Sequence, residues 1–352
     1  MVRRALGEDK IDIAGTSYGT YLGSAYATKY PEHTGKVILD SGMSPKLAWN
    51  GIFASQQRGY EKGLHDLFGF IAKNDAKYHL GTTPLQVYEK WSQKVAREAG
   101  VRPTVLPPNA KIGDLPPGLE FAGQPGADIM TATGPLRVQA EFLSQKIQRP
   151  NAMQVSSPLL IMTRTLVPLP AQWDAFAKHL NGSEPMDVEQ SDPDALRKEQ
   201  ESLAQTMNMQ NLIVCNENTV PGNPLLYPSY LWANFVSVDP FTLLNSRYGS
   251  GAGCGGRAPV TGQAPLDGSK LATKPLQIQA TGDPQTPYQY HTSLSKPMQS
   301  RVVTVHGPGH AHFASQNKVI DDIGVHYLRT GEVTTTAVSY THLRAHETRG
   351  NL

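Results

Sequence analysis

The chain has 352 residues, of which 39% are hydrophobic and 18% are charged, and this balance is typical of a globular protein with a sizeable buried core. Its 32 lysine and arginine residues nearly balance 30 aspartate and glutamate residues, so the net charge of +2 argues against nucleic acid or an anionic membrane as a partner. The sequence contains no run of about 18 apolar residues that could span a bilayer.

The first predicted elements are a strand, a tight turn and a helix. Residues 11–14 are a short apolar run, residues 15–19 read Gly-Thr-Ser-Tyr-Gly, and residues 20–27 have a helical composition. A serine in such a turn is typical of a nucleophile elbow, where small neighbours let the strand and the helix approach closely. We therefore predict that Ser17 is a nucleophile and that the Tyr18 N–H stabilises an oxyanion. A plain glycine-rich turn is the alternative.

The next elements predict an α/β repeat followed by a helical insertion. Pro31 ends the first helix, and residues 37–39 form a second apolar run. From about residue 44 to residue 245, apolar residues recur at three- and four-residue spacing between loops rich in proline and glycine. The helical patterns cover residues 51–74, 84–100, 135–149, 170–180 and 193–209. This block fits a cap inserted over the carboxyl ends of the core strands.

The C-terminal third contains two further strands, each followed by a residue that could assist a serine. The strand at residues 276–280 leads into Asp283, and the strand at residues 301–305 leads into His310. A serine needs a histidine to accept its proton and an acid to orient the histidine, and α/β-hydrolases supply them in the order Ser, Asp, His. We predict Asp283 as the acid and His310 as the general base. An aspartate beside glycine and proline is otherwise a turn residue.

Three neighbouring residues are alternatives to this choice. Asp40, directly after the second strand, could serve as the acid, because some hydrolases place it one strand earlier. His306 and His312 lie close to His310, and we assign both to the surface or to a supporting role. The three histidines lack a nearby Cys, Asp or Glu set with ligand spacing, so no metal and no cofactor is expected.

Three blocks of the sequence resemble a known family. They are Gly-Thr-Ser-Tyr-Gly-Thr-Tyr-Leu-Gly at residues 15–23, Thr-Gly-Asp-Pro-Gln-Thr-Pro-Tyr at residues 281–288, and Gly-Pro-Gly-His at residues 307–310. Together with residues 2–10, they resemble the secreted α/β-hydrolases of the tripeptidyl aminopeptidase type, which are related to the prolyl aminopeptidases. The resemblance covers most of residues 2–333 and is weak in the middle.

This resemblance implies an α/β fold, with a partial α/β-hydrolase core that holds strands five to eight of the parallel sheet and a large inserted cap. Residues 1–43 are the first core segment, residues 44–270 the mainly helical cap with its return loop, and residues 271–336 the second core segment. The family has further strands and an oxyanion loop before the elbow, so an N-terminally truncated chain with an exposed first strand is expected. Residues 337–352 resemble a translated sequencing adaptor and are expected to be a non-native tail.

Three residues of the middle segment obtain roles from the resemblance. Cysteines at such positions occur in exported members, which implies a disulfide between Cys215 and Cys254, with two free thiols as the alternative. An aminopeptidase has to bind a cationic α-amine, and a carboxylate does this through charge-assisted hydrogen bonds. Glu217 is the candidate for this substrate contact, and a solvated loop glutamate is the alternative.

The residues thus predict a serine hydrolase in which Ser17 attacks an acyl carbon, His310 transfers the proton and Asp283 orients the imidazole. The resemblance adds that short peptides are released from the free N-terminus of a peptide substrate, by a monomer that is secreted or held in the cell envelope. A carboxylesterase of the same fold and a non-catalytic fragment are the alternatives. Neither nucleic acid nor a membrane is expected as a partner.

Overall fold

The computed structural model describes residues 2–184, 193–255, 257, 260–315 and 317–340. The strands are β1 Ile11–Thr16, β2 Thr34–Asp40, β3 Leu276–Gly282, β4 Arg301–Pro308 and β5 Ala337–Ser339. The helices are α1 Val2–Ala5, α2 Tyr18–Lys29, α3 Asn50–Lys73, α4 Asp75–Tyr78, α5 Pro84–Ala99, α6 Gly123–Gln148, α7 Pro158–Leu166, α8 Trp173–Asn181, α9 Pro193–Glu217, α10 Tyr227–Leu231, α11 Leu243–Gly249, α12 Thr292–Met298 and α13 Lys318–Thr330. Within these ranges, no helix combines the length and the apolar character needed to cross a bilayer.

The five strands form one parallel sheet in the order β1, β2, β3, β4, β5. Parallel neighbours require crossover connections, and α2, α12 and α13 lie in the connections between β1 and β2, β3 and β4, and β4 and β5. This arrangement confirms the predicted α/β class with a parallel sheet. Among the strands that the structure describes, β1 lies at one edge of the sheet.

The central strands are buried on both faces, as a parallel sheet requires. Ile38 shares a buried cluster with Ile278 and Val303, whereas its neighbours Val37 and Leu39 belong to a second cluster that includes Leu294 and Met298. Successive side chains of a strand point to opposite faces. The apolar run of β2 therefore contributes to two cores, which explains why it does not alternate with polar residues.

The chain divides into two compact units. The first comprises the described residues of Met1–Gly59, Val214–Pro221 and Ala258–Leu352, and it contains the whole sheet. The second comprises the described residues of Tyr60–Ile213 and Gly222–Arg257 and is helical.

These boundaries differ from the expected cap at residues 44–270, because parts of that segment bind to the sheet unit. The Asn218 side-chain oxygen accepts the Asn50 N–H at 2.9 Å, and the Tyr21 hydroxyl oxygen accepts the Ala264 N–H at 2.8 Å. No local sequence pattern indicates long-range hydrogen bonds of this kind.

The second unit has its own core and a side-chain cap at the start of α5. Trp91 and Trp173 are fully buried, and their indole N–H groups donate to Thr163 Oγ1 at 2.9 Å and to the Leu166 carbonyl at 3.2 Å. Thr83 caps α5, which begins at proline as expected for a first helical turn.

The fifth strand was not expected, because it lies in the segment assigned to a non-native tail. Ala337, Val338 and Ser339 pair with Thr304, Val305 and His306 of β4. Residues 341–352 of that segment lie outside the described residues.

Candidate active site

Ser17 lies between β1 and α2 in a strained backbone conformation. Its φ is +55° and its ψ is −123°, a region that side chains other than glycine rarely adopt. A Cβ at Gly15 would lie 2.3 Å from the Gly19 carbonyl oxygen, so glycine is required there, whereas a Cβ at Gly19 would meet nothing within 4 Å. The strand and the helix thus approach each other at Gly15. This is the geometry of a nucleophile elbow.

Hydrogen bonds to its backbone hold the elbow in place. The Ser17 carbonyl accepts the Thr20 N–H at 2.9 Å and the Thr20 hydroxyl at 2.6 Å. The Ser17 N–H donates to the Asp40 carbonyl at 3.1 Å. Tyr18 is the first residue of α2, and N–H groups of a first helical turn have no acceptor within the helix. The Tyr18 N–H therefore suits the predicted oxyanion contact, which stays a prediction.

Asp283 and His310 follow two neighbouring strands and contact each other. The parallel register pairs Gly282 of β3 with Pro308 of β4, so the residues just beyond these strand ends meet. His310 Nδ1 lies 2.9 Å from Asp283 Oδ2 and 3.0 Å from Oδ1, and both side chains are buried. A carboxylate accepts only, so Nδ1 carries the proton and Nε2 is left as the acceptor. This is the tautomer that a general base needs.

Asp283 has further hydrogen bonds that stabilise its charged form. Its Oδ1 accepts the N–H groups of Gln285 at 2.8 Å and Thr286 at 2.9 Å, and its Oδ2 accepts the Thr286 hydroxyl at 2.8 Å. Burial by itself raises the pKa of Asp283, but His310 and Thr286 outweigh burial and lower this pKa below its ordinary value. Asp283 is therefore ionised beside the imidazole.

The electrostatic environment of His310 is dominated by carboxylates. Burial alone lowers the pKa of His310, but the charges of Asp283 and Asp40 reverse the effect and raise it above its ordinary value. The imidazolium formed when a histidine accepts a proton is thus stabilised at this position.

Asp40, the alternative acid, does not hydrogen bond to the His310 ring. Its Oδ2 instead accepts the N–H groups of His312 at 2.6 Å and Phe313 at 2.7 Å. Burial raises the pKa of Asp40, and the hydrogen bonds and the nearby histidines oppose this effect only in part. The acid in contact with the imidazole is Asp283.

His306 and His312 are the other two histidines of this region. His306 is exposed on β4, whereas His312 is buried, with Nε2 3.2 Å from the Gly309 carbonyl and its ring 5.8 Å from that of Tyr340. Within the described ranges, no group of three His, Cys, Asp or Glu side chains is arranged to hold a metal ion.

In this structure, the described residues show no hydrogen bond between Ser17 Oγ and His310. In free enzymes, catalytic hydrogen bonds are often long and tighten only when substrate binds. Asp40 connects the two residues, because its carbonyl accepts the Ser17 N–H and its carboxylate binds the loop that follows His310. The structure therefore brings Ser17, Asp283 and His310 to the carboxyl ends of β1, β3 and β4.

Glu217 belongs to the same unit as Ser17 and contacts the residue next to it. The Tyr18 hydroxyl donates to the Glu217 carboxylate at 3.1 and 3.2 Å, and Trp49 Nε1 donates to Oε2 at 3.2 Å. Burial, with the nearby Glu217 charge, raises the pKa of Tyr18, which keeps its hydroxyl protonated as a donor. The Tyr21 ring packs edge-on against Trp49 at 5.0 Å. The contact between Trp49 and Glu217 was not predicted, because no local motif indicates it.

The two cysteines, Cys215 and Cys254, are both disulfide-bonded. Disulfides persist in oxidising compartments outside the cytosol.

Two family matches and several relatives accord with this geometry. Residues 240–339 match the family described as TAP-like protein, and residues 1–84 match the family described as alpha/beta hydrolase fold. The chain is 39% identical over 93 residues to tripeptidyl aminopeptidase of Streptomyces lividans, which covers 26% of this chain and 17% of the relative.

The Streptomyces coelicolor tripeptidyl aminopeptidase matches with the same identity and coverage. In these two segments, the chain is thus similar to α/β-hydrolases of the tripeptidyl aminopeptidase type. Serine protease Hip1 of Mycobacterium tuberculosis is 33% identical over 111 residues, which covers 32% of this chain and 20% of that relative. The alignments of this α/β-hydrolase thus span about a fifth of the length of the curated relatives it matches.

Proposed function

We propose that this α/β-hydrolase is a serine peptidase that releases short peptides from the free N-terminus of peptide substrates through an acyl-enzyme intermediate. The observation that carries the proposal is the buried pair of His310 and Asp283, 2.9 Å apart, at the same sheet edge as a serine with a positive φ. Such a constellation is recognised by geometry and roles.

The roles follow from the contacts. Ser17 Oγ attacks the scissile carbonyl and passes its proton to His310 Nε2, while Asp283 holds the Nδ1 proton and stabilises the imidazolium. The Tyr18 N–H, at the positive end of the α2 dipole, donates to the oxyanion. The leaving amine takes the proton from His310, and water then hydrolyses the acyl-enzyme by the same route in reverse.

Glu217 would provide the preference for a free N-terminus. Its carboxylate is half-buried, and its two donors, Tyr18 and Trp49, are neutral, so its charge is not cancelled by a cation in these contacts. An α-ammonium group would form a charge-assisted hydrogen bond there, and the rings of Tyr18 and Trp49 would add cation–π attraction. Tyr18 follows Ser17 directly in the chain, and its hydroxyl contacts Glu217. A single residue therefore connects the proposed ammonium site to the nucleophile.

Both cysteines are disulfide-bonded, which supports our further proposal that the protein is secreted or held in the cell envelope. The proposed substrate class rests on the resemblance to the tripeptidyl aminopeptidases. We also propose that the protein acts as a monomer.

The test measures hydrolysis of a tripeptidyl anilide with a free amine and of the same compound with an acetylated amine. We expect the wild type to prefer the free amine and S17A to lose activity by about 10⁴-fold or more. E217Q should reduce kcat/KM for the free amine by about 10- to 100-fold, because a hydrogen bond to a charged group contributes about 1.5–3 kcal/mol. It should leave the slow reaction of the acetylated compound unchanged.

E332Q is the matched control, because Glu332 is exposed and lies outside the candidate site. If blocked esters are cleaved while neither anilide reacts, the carboxylesterase alternative is correct. If a folded chain cleaves none of these compounds and does not react with a fluorophosphonate, the chain is not a catalyst.

A further inference from the structure

Asp40 and Ser41, at the end of β2, contact both halves of the candidate active site. The Asp40 carbonyl accepts the Ser17 N–H at 3.1 Å, on the side of the nucleophile. The Ser41 N–H donates to the Ile278 carbonyl at 2.9 Å, on the strand that leads to Asp283. β2 thus lies between the strand of the nucleophile and the strand of the acid.

The side chains of the same two residues bind the loop after His310. The N–H groups of three consecutive residues donate to them: Ala311 to Ser41 Oγ at 2.9 Å, and His312 and Phe313 to Asp40 Oδ2 at 2.6 and 2.7 Å. The Ser41 hydroxyl also donates to Asp40 Oδ1 at 3.2 Å. The buried Asp40 carboxylate therefore accepts hydrogen bonds from backbone N–H groups of the loop that carries the general base.

The loop has a conformation that requires such contacts. Ala311 has a φ of +66° and Ser41 has a φ of +57°, and residues other than glycine pay a steric cost in this region. Strained conformations of this kind persist only where surrounding interactions hold them. The hydrogen bonds to the Asp40 carboxylate and to Ser41 Oγ supply these interactions on one side of the loop.

We propose that Asp40 is a positioning residue of the proposed hydrolase, which holds the His310 loop in register with the Ser17 elbow. The inference rests on the proposed function of Ser17 and His310. A displacement of about 1 Å in a catalytic group can reduce a rate by about 100-fold. Loss of the Asp40 contacts should therefore slow the reaction of Ser17, although Asp40 touches neither the His310 ring nor the reacting atoms.

Asp40 also acts on His310 through its charge, which provides a second readout. The carboxylates that raise the pKa of His310 are Asp283, at the end of β3, and Asp40, at the end of β2. His312, on the loop of His310 itself, also interacts electrostatically with Asp40. A neutral residue at position 40 should thus lower the pH at which His310 loses its proton. A residue with a merely structural role would not change this pH.

The experiment measures the rate at which a fluorophosphonate labels Ser17, as a function of pH, in the wild type, D40N, S41A and S17A. We expect D40N to label at least tenfold more slowly, with the midpoint of its pH profile below that of the wild type. S41A should label about threefold more slowly with an unchanged midpoint, because it loses the acceptor of the Ala311 N–H but no charge. D66N is the matched control, since Asp66 is paired with Lys62 on the surface.

Circular dichroism establishes whether each variant is folded. A folded D40N with the rate and midpoint of the wild type overturns the inference while the proposed function stands. If D40N does not fold, S41A decides, and a wild-type labelling rate for folded S41A overturns the inference. If the wild type labels no faster than S17A, the proposed function fails first, and this outcome is distinct from the other two.

Discussion

Asp239 and Asp283 each begin an Asp-Pro-x-Thr sequence, one in the helical unit and one in the sheet unit. Both carboxylates are buried, and both accept hydrogen bonds from the residues that follow. Asp239 accepts the Phe241 N–H at 3.0 Å and the Thr242 hydroxyl at 3.2 Å, as Asp283 accepts the Gln285 N–H and the Thr286 hydroxyl, each at 2.8 Å. The same local sequence thus forms the same kind of capped turn twice.

The two turns differ in the partner that tertiary structure supplies. Asp283 meets the His310 ring, whereas Asp239 accepts the Thr104 hydroxyl at 3.3 Å. Burial raises the pKa of Asp239, and its neutral donors and the charge of Arg164 reverse this only in part. At Asp283, burial acts in the same direction, but His310 reverses it. A self-capped aspartate becomes a candidate catalytic acid only where a titratable base is brought to it.

The largest expected effect is a difference in kcat between variants of the two aspartates. D283N should reduce kcat by about 10⁴-fold, because an amide at this position favours the wrong imidazole tautomer. D239N should leave kcat of the folded protein within about twofold of the wild type, because the Asp239 turn holds no reacting group. Anilide hydrolysis by the two variants measures both values. An equal loss of kcat in both variants would mean that the turn conformation, and not the contact with His310, determines kcat.

The pH dependence of the reaction should show the same histidine contact. His310 must be neutral to accept a proton, so kcat/KM should fall as the pH decreases through the pKa of His310, by about tenfold for each pH unit below it. Since Asp283 and Asp40 raise this pKa above its ordinary value of 6.5, we expect the acid limb to lie above pH 6.5. An acid limb below that pH would contradict the raised pKa of His310.

A smaller effect is expected from the two threonines that complete the turns. T286V removes the hydroxyl that binds Asp283 Oδ2 at 2.8 Å, and it should reduce kcat about tenfold, because a hydrogen bond to a charged group contributes about 1.5–3 kcal/mol. T242V removes the equivalent hydroxyl at Asp239 and should lower the free energy of unfolding by about 1 kcal/mol without a change in kcat. Steady-state kinetics and urea unfolding of the two variants make the comparison.

The smallest effect concerns the pH dependence of stability at Asp239. Its folded-state pKa is raised, so the folded protein binds this proton more tightly than the unfolded chain does. Stability should therefore decrease as the pH rises from the unfolded-state pKa to the raised folded-state pKa. D239N lacks this titration, so its destabilisation relative to the wild type should be greater at pH 3 than at pH 7. Melting temperatures at the two values measure it, and a difference of the opposite sign would contradict the raised pKa.

Much of the candidate site could be predicted because its residues follow directly from local elements. Gly15 and Ser17 mark a strand-to-helix turn, and the structure has β1 Ile11–Thr16 and α2 Tyr18–Lys29 on its two sides. Asp283 and His310 each follow an apolar run, and these runs form the neighbouring strands β3 and β4. The carboxyl ends of parallel strands meet at one edge of a sheet, so the chain order of the elements was sufficient to bring these residues together.

The contacts that could not be predicted join residues far apart in the chain. Glu217 meets Tyr18 and Trp49, and Asp40 binds the amides of His312 and Phe313. The expected cap boundaries at residues 44 and 270 also differ from those of the compact units. Val214–Pro221, for example, groups with the sheet unit. Neither composition nor periodicity encodes the partner of a hydrogen bond that spans more than 150 residues.

The sequence by itself determined the α/β class and the position of the elbow, and it predicted the order of serine, acid and histidine, since each depends on backbone preferences over a few residues. Only the tertiary structure decided that Asp40 binds the loop of His310 and not its ring, and that Glu217 contacts Tyr18 and Trp49. A turn is specified by its own residues. The chemistry of a buried carboxylate is specified by the charges that the fold places against it.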